Sequence, residues 1–129
     1  MTGKVLLDTN IVIALFAGES SVQQHLSTAN EVFIPSIVLG ELYYGAHKSA
    51  RTEKNIARID EFAANNTVLL CDTATARQYG IIKNQLRTKG KPIPENDIWI
   101  AAIAKQYQLT LVTRDNHFQH VDGLAIEQW

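Results

Sequence analysis

Short apolar runs alternate along the chain with longer segments whose apolar residues recur at helical spacing. The short runs have the length of buried strands and lie at residues 5–7, 31–35, 67–71, 109–113 and 124–127. The longer segments predict helices at residues 11–16, 22–29 and 51–65, a helix that Ser36 caps and that runs to about His47, a helix that opens after residues 72–73, and one that begins at residues 96–97. This alternation predicts an α/β domain with a mainly parallel central sheet of four to five strands, covered by helices on both faces.

The apolar run Val5–Leu7 and the wholly apolar segment Ile11–Phe16 meet at a single acidic residue, Asp8. The first is typical of a buried parallel strand and the second of a buried helix. Ligands of open α/β sheets bind beyond the carboxyl ends of the strands, so Asp8 is well placed for chemistry. The alternative is a helix N-cap, for which Thr9 and Asn10 are also suited, and this residue taken alone favours the cap.

Three more acidic residues occupy corresponding places near other elements. Glu41 lies on or beside the apolar stripe of the third helix, where a charge is costly unless it has a partner or reaches water. Asp97 stands in the first turn of the apolar helix, and Asp115 follows the fourth strand. Capping or exposure explains each acid singly. Acids at matching ends of several elements instead predict one shared cleft, from which spacing does not exclude Asp72.

Several carboxylates in one cleft repel one another by about 4 kcal/mol per pair at 4 Å and an effective dielectric near 20. A divalent cation removes that penalty. Oxygen ligands select hard ions such as Mg²⁺ or Mn²⁺ over Zn²⁺. Such sites commonly act on phosphates, so the acids predict phosphodiester hydrolysis.

The composition predicts one globular domain spanning residues 1–129, with 46% hydrophobic residues and enough length for a substantial core. The single cysteine, Cys71, cannot form an internal disulfide, which fits a reducing compartment, and we expect it to be a small core residue. No apolar run reaches the roughly 20 residues that span a bilayer. We therefore expect a cytoplasmic protein that does not contact a membrane.

The net charge of −1 gives no global sign of a nucleic-acid binder. The local distribution is uneven, because the segment between Thr73 and Pro94 has basic residues and no acidic ones. The basic residues are Arg77, Lys83, Arg87, Lys89 and Lys91. This segment could attract phosphate, although a solvated helix face is the commoner explanation of such a run.

Four segments together carry a resemblance to a known family. The sequence VLLDTN at 5–10, Glu41 in the third helix, NDIWIAA at 96–102 and LVTRDNHF at 111–118 resemble the acidic motifs of PIN-domain ribonucleases. The length and the order of the motifs are similar to those of VapC-type toxins of bacterial and archaeal toxin–antitoxin pairs. The resemblance covers essentially the whole chain and implies a single PIN-like domain with a three-layer α/β/α fold.

The resemblance implies a metal-dependent endoribonuclease that hydrolyses RNA phosphodiester bonds. Its catalytic and metal-binding residues would be Asp8, Glu41, Asp97 and Asp115, which would hold one or two Mg²⁺ or Mn²⁺ ions. Water activated there would cut single-stranded or looped RNA and leave a 5′-phosphate and a 3′-hydroxyl.

Polar positions of the family pattern surround these acids. Asn10, Thr113 and Asn116 match positions that orient the carboxylates or bound water. Glu95 is an alternative acid near the fourth position. The family pattern treats His117 as structural, and we assign it no catalytic role.

The resemblance also implies protein partners. Such toxins are inhibited by a cognate antitoxin that lies in an apolar groove and presents an Arg to the acidic site, where guanidinium–carboxylate pairs are strong. We expect a homodimer, with Tyr43 and Tyr44 as candidates for the groove or the dimer surface. Core packing is the alternative role of both tyrosines.

Two other functions compete with the nuclease. A phospho-acceptor receiver domain has a similar length and an acidic Mg²⁺ site, with Asp72 as its possible acceptor, but Asp8 has no acidic neighbour and no Lys follows the fourth strand. The other is a catalytically silent PIN-like module that binds RNA or protein. Retention of all four acids argues against the silent module.

Overall fold

A computed structural model describes residues 3–129 and shows a five-stranded sheet. Every neighbouring pair of strands is parallel, in the order β3-β2-β1-β4-β5. The strands are β1 (Lys4–Leu7), β2 (Glu31–Pro35), β3 (Thr67–Leu69), β4 (Thr110–Val112) and β5 (Ile126–Glu127). The prediction of a mainly parallel sheet of four to five strands is confirmed.

Six α-helices connect the strands in an α/β/α arrangement. They are α1 (Thr9–Phe16), α2 (Ser20–Thr28), α3 (Ser36–Lys48), α4 (Thr52–Ala64), α5 (Thr73–Lys89) and α6 (Glu95–Tyr107), and a 3-10 helix spans Asn116–His120. None of the helices in residues 3–129 is long and apolar enough to cross a membrane.

The core is centred on β1 and α6. Val5, Leu6 and Leu7 have no exposed surface because β1 is the middle strand of the sheet. Residues 100–104 of α6 are at most 1% exposed. Both segments have continuous rather than periodic apolar residues, as expected for elements buried on every side. The apolar run of α1 was expected to be buried in the same way, but Ile13 is 56% exposed, so that expectation was wrong for one face of α1.

The edge of the sheet differs from the prediction. β3 ends at Leu69, so Leu70 is 65% exposed and Cys71 is also exposed. The expectation that Cys71 is a core residue was therefore wrong. β3 is an edge strand with a neighbour on one side only, and an apolar run by itself does not distinguish an edge strand from a central one.

Most helix starts differ from the prediction by one or two residues, and two of them have proline as the N-cap. α3 includes Ser36 as its first residue, and its N-cap is Pro35, which offers no side-chain hydrogen bond. α6 begins at Glu95 with Pro94 as its N-cap, one residue before the predicted start at Asn96. Proline fixes φ near the helical value and lacks the N–H that a first turn leaves unpaired, so it serves at both starts.

The sheet topology brings the predicted site residues to one edge. β1 and β4 are neighbours, and Leu7 pairs with Val112. Asp8 and Thr113, the next residues on each strand, therefore leave the sheet side by side at its carboxyl edge. α3 follows the other neighbour of β1, and α6 leads into β4, which brings Glu41 and Asp97 toward the same edge.

Candidate active site

Asp8 is both the cap of a helix and a buried acid of the site. Its Oδ1 accepts a hydrogen bond from the Thr9 N–H at 2.8 Å, which makes it the N-cap of α1. The residue is only 4% exposed. Burial raises the pKa of Asp8, and the charges of Glu41 and Asp115 add to this, while the hydrogen bonds from Thr113 and Thr9 oppose it. The capping alternative and the cluster therefore coexist.

Thr113 and Asn10 hold the second oxygen of Asp8. The buried Thr113 hydroxyl donates to Asp8 Oδ2 at 2.7 Å and accepts from the Asp115 N–H at 3.0 Å. Asn10 Nδ2 donates to the same Oδ2 at 3.3 Å, and Asn10 Oδ1 accepts from the Arg114 N–H at 3.2 Å. The loop after β4 is thus tied to the loop after β1.

Glu41 is half-buried and has a partner. Its Oε1 accepts a hydrogen bond from the Thr9 hydroxyl at 2.8 Å, a contact between α1 and α3. Thr9 therefore contacts Asp8 through its backbone and Glu41 through its side chain. The partner alternative for Glu41 is the one that the structure shows.

Asp97 and Asp115 complete the cluster, and the exposed side chain of His117 contacts both of them. His117 Nδ1 lies 3.0 Å from Asp115 Oδ1 and 3.6 Å from Asp97 Oδ2. Burial and the charges of Asp8 and Asp115 raise the pKa of Asp97 to about 6, with a smaller contribution from Glu41 and an opposing hydrogen bond from His117. The four predicted acids therefore share one electrostatic environment.

This donor set fits a divalent cation. One ligand atom each from Asp97, Asp115 and His117 lies within 4.8 Å of the others. The carboxylates suit hard ions such as Mg²⁺ and Mn²⁺, and the imidazole is a donor that the sequence analysis did not assign. Burial is the largest cause of the raised pKa of Asp97 and the neighbouring carboxylates are the next, and a bound cation relieves the repulsion between those carboxylates.

One predicted residue and one alternative acid lie outside this network. Asn116 is exposed, and its Oδ1 accepts from Gln119 Nε2 at 3.5 Å rather than contacting an acid. Its role in orienting carboxylates stays a prediction. Glu95 accepts hydrogen bonds from the Tyr79 hydroxyl and, at 3.0 Å, from Lys83 Nζ on α5. It therefore faces α5 rather than the cluster.

Asp72 is a helix cap, not a member of the cluster. It forms a capping box with Thr75 at the start of α5, and Gln106 near the end of α6 donates to it at 2.9 Å. The Thr75 N–H and these other donors hold the pKa of Asp72 below its usual value. Asp72 is therefore not available as the phosphate acceptor of a receiver domain. The observed strand order also differs from the 2-1-3-4-5 order of receiver folds.

We expect Asp72→Ala to lower the melting temperature by a few degrees and to leave RNA cleavage at the wild-type rate, because the cap is lost and the cluster is untouched. Asp72→Asn, which retains a capping side chain, should restore much of the stability. Thermal unfolding followed by circular dichroism, beside a cleavage assay, measures both effects. If Asp72→Ala lost cleavage while its melting temperature stayed unchanged, Asp72 would belong to the active site.

Arg114 ties the loop after β4 to α2 and to the last residue. Its guanidinium contacts both carboxylate oxygens of Glu19, at 2.8 and 3.3 Å, and donates to the Trp129 carbonyl at 3.0 Å. Sequence reasoning missed this contact, the Thr9–Glu41 bond and the position of His117. Only the His had a local signal, since it follows Asp115 by two residues.

The fold and this acidic cluster define a class of protein that direct comparison identifies. The chain matches the PIN-domain family model over residues 5–124. Because this match covers most of the chain, the protein belongs to the PIN-domain family, and the resemblance seen in the motifs is confirmed.

Similar proteins narrow the class to the VapC ribonucleases. The chain is 40% identical over 129 residues to Ribonuclease VapC2 of Haemophilus influenzae, covering 98% of each chain. It is 36% identical to the tRNA(fMet)-specific endonuclease VapC of Shigella flexneri, again over 98% of each. The solved structure of VapBC2 from Rickettsia felis bound to a promoter DNA fragment aligns with a TM-score of 0.89 at 31% identity, over 98% of each chain.

Proposed function

We propose that this protein is a Mg²⁺- or Mn²⁺-dependent endoribonuclease that serves as the toxin of a toxin–antitoxin pair. The observation that carries the proposal is the cluster at the carboxyl edge of the sheet, where ligand atoms of Asp97, Asp115 and His117 lie within 4.8 Å of one another. The charges of Asp8, Asp115 and Glu41 reach the same place, since they add to burial in raising the pKa of Asp97. Membership of the PIN-domain family and the names of the VapC relatives support the same activity. Hydrolysis would leave a 5′-phosphate and a 3′-hydroxyl.

In this proposal Asp8, Glu41, Asp97 and Asp115 hold one or two metal ions. A bound ion would supply an activated water and would stabilise charge on the phosphoryl oxygens. The Thr113 hydroxyl and the Asn10 amide fix the Asp8 carboxylate by donating to its Oδ2. The Thr9 hydroxyl fixes Glu41 in the same way. These donors hold the carboxylates in position before the substrate binds, so the side chains need to move little when the reaction begins.

The test is cleavage of a panel of RNAs by purified protein in Mg²⁺ or Mn²⁺, beside EDTA and Asp97→Asn controls. The panel holds initiator tRNA, since the Shigella relative is named for it, together with single-stranded and hairpin RNAs. We expect metal-dependent cutting with 5′-phosphate ends that is lost in both controls. Absence of cutting together with absence of Mn²⁺ binding in calorimetry would overturn the proposal and favour a silent binding module.

An apolar groove beside Glu41 is the proposed seat of the antitoxin. The groove has a volume of about 260 Å³, and α1, α3 and α4 form its walls. Its apolar wall includes Ile13, which is 56% exposed, together with Phe16, Leu42 and Ile59. A partner segment with apolar side chains fits such a groove, and a basic side chain at its end would meet the acid cluster through Glu41.

The two candidate tyrosines differ in their contacts. The Tyr43 hydroxyl donates to Asp60 on α4, which ties this half-buried side chain to its own fold. Tyr44 is 65% exposed, with the Lys48 ammonium 4.6 Å from its ring centroid. Tyr44 is therefore the better candidate for a contact with the antitoxin or with a second copy of the chain.

We expect Ile13→Glu to weaken antitoxin binding at least tenfold, because it buries a carboxylate in an apolar groove beside Glu41. The fold should tolerate the change, since Ile13 is exposed. Ile81→Glu is the matched control, as Ile81 is 48% exposed on α5, away from the groove. Calorimetric titration with the cognate antitoxin measures the effect. Equal losses in the two variants would contradict this seat.

Three further expectations accompany the proposal. We propose that residues 1–129 form one domain, since the family match spans nearly all of them. We also propose a homodimer and a cytoplasmic location, where RNA substrates are present. The mass of the protein in solution tests the first of these two.

A further inference from the structure

A second apolar pocket lies beside α6, the helix that also carries Asp97 of the acid cluster. It has a volume of about 270 Å³ and lies between the end of α5, the following loop and the first turn of α6. Its apolar wall is formed by Leu86, Pro92, Ile93 and Ile98, and we call these residues the base pocket. The volume falls just below the range of about 300–1,000 Å³ typical of drug-sized ligands, which suits a single heterocycle.

The rim of the base pocket carries unpaired positive charge, because Glu95, the acid on that rim, is already paired with Lys83. Of the basic residues on this segment, Lys83 pairs with Glu95 and Lys89 pairs with Asp122. Arg87 lines the pocket and Lys91 follows in the loop, and both are exposed. Within residues 3–129 neither has an acidic partner at ion-pair distance.

The pocket and the acid cluster share the first turn of α6. Ile98 of the base pocket directly follows Asp97, so their α-carbons are about 3.8 Å apart. Successive helical residues point about 100° apart, which turns Asp97 into the acidic cleft and Ile98 into the pocket. A ligand with several phosphates could therefore have one phosphate in the cleft and a neighbouring group in the pocket.

We propose that the base pocket holds one unstacked nucleobase of the RNA next to the scissile phosphodiester, while Arg87 and Lys91 contact the flanking phosphates. This inference rests on the proposed nuclease function. The apolar side chains of the pocket can pack against the faces of a base, and the unpaired Arg87 and Lys91 at its mouth can pair with the negative phosphates on either side of that base. The basic run on α5 thus binds substrate at its C-terminal end, and elsewhere it is a solvated or internally paired helix face.

The test measures binding without cleavage, so that it does not depend on the nuclease reaction. Fluorescein-labelled single-stranded octamers of A, U or C, and an abasic octamer with the same number of phosphates, are titrated in EDTA and followed by anisotropy. We expect at least one base-containing octamer to bind at least fivefold more tightly than the abasic one. Equal affinity for all of them would mean phosphate contacts only and would overturn the base pocket.

Two variants locate the binding, and one control matches them. Arg87→Ala should weaken binding about threefold to tenfold and reduce the slope of log K against log salt by about 0.7, the value for one phosphate of a single strand. Pro92→Glu, at an exposed position, should remove the preference for bases over abasic sites. Arg77→Ala is the control, since Arg77 is an exposed arginine on the same helix, ten residues before Arg87. Equal losses for Arg77→Ala and Arg87→Ala would indicate a diffuse basic face and overturn the proposal.

The outcomes separate this proposal from the nuclease function. If the protein cuts RNA but Arg87→Ala and Pro92→Glu bind RNA like the wild type, the base pocket is wrong and the nuclease stands. If no RNA is cut and no Mn²⁺ binds, but Pro92→Glu removes the base preference and Arg87→Ala weakens binding, the pocket stands and the nuclease is wrong. A changed mass in solution for Pro92→Glu, with unchanged RNA binding, would make this surface a contact between copies and overturn the proposal.

Discussion

Asp97→Asn should lower RNA cleavage at least ~100-fold while making the metal-free protein more stable at neutral pH. Loss of even an outer partner of a metal ligand typically costs 10–100-fold, and Asp97 is proposed to be a ligand itself. Asparagine has a similar shape but no charge. It therefore removes a proposed metal contact together with a source of repulsion in the cleft.

The pKa of Asp97 fixes the sign of the stability effect. Its folded-state pKa is about 6, above the unfolded value of about 3.9. Between these two values the folded state binds more protons than the unfolded state, so the free energy of unfolding falls as pH rises through this window. The penalty is complete above about pH 6 and, at about 1.4 kcal/mol per pKa unit, approaches 3 kcal/mol. Asp97→Asn should recover up to that amount at pH 8 and almost none at pH 4.

Urea unfolding of the wild type and of Asp97→Asn, in EDTA at pH 4 and at pH 8, measures this difference. Asp72→Asn is the control of opposite sign, because the pKa of Asp72 is held low and removal of that charge should give no gain at pH 8. A marked loss of stability in Asp97→Asn at pH 8 would show that the carboxylate mainly supports the start of α6. Adding Mn²⁺ should stabilise the wild type more than the variant.

Thr113→Val should destabilise the protein by about 2 kcal/mol and lower cleavage about 10–100-fold. Valine has nearly the shape of threonine but lacks the hydroxyl. Asp8 Oδ2 would lose its buried 2.7 Å hydrogen bond, and the half-buried Asp115 N–H would lose its acceptor. The pKa of Asp8, already raised by burial, should rise further because one of the hydrogen bonds that oppose the shift is gone.

Thr113→Ser is the matched control, since it keeps the hydroxyl and loses only a methyl group. Urea unfolding gives the stability, and kcat with initiator tRNA or the best RNA of the panel gives the activity. We expect the serine variant to keep most of both. Equal activity in the valine and serine variants would show that the Asp8 carboxylate holds its position without Thr113.

Most of the fold could be predicted from the sequence, because each strand or helix has its own local pattern of apolar residues. Continuous apolar runs predicted β1 and α6, and residues 5–7 and 100–104 of these elements are buried in the structure. The ends of elements were harder to predict, and β3, for example, ends two residues before its apolar run does. Exposure at Leu70 and Cys71 depends on which strand lies at the edge of the sheet. That depends on pairing between distant segments.

The candidate site was only partly readable from the sequence. Asp8 and Asp115 follow strands and Asp97 opens a helix, and such positions are visible along the chain. Asp72 has the same kind of position, yet it caps α5 and bonds to Thr75 and Gln106 rather than to the cluster. No local rule separates the two cases, because the difference arises from the path that the chain takes after β3.

The sequence by itself determined the order of strands and helices and the delivery of acids to the ends of those elements, since both follow from hydrophobic periodicity. The tertiary structure decided which acids meet and how they ionise. Thr113 contacts Asp8 across 105 positions of sequence, and Thr9 contacts Glu41 across 32. The raised pKa of Asp97 comes from burial and from charges on three other segments. Desolvation and Coulomb interactions depend on distance in space, which strand register and helix packing set and sequence spacing does not.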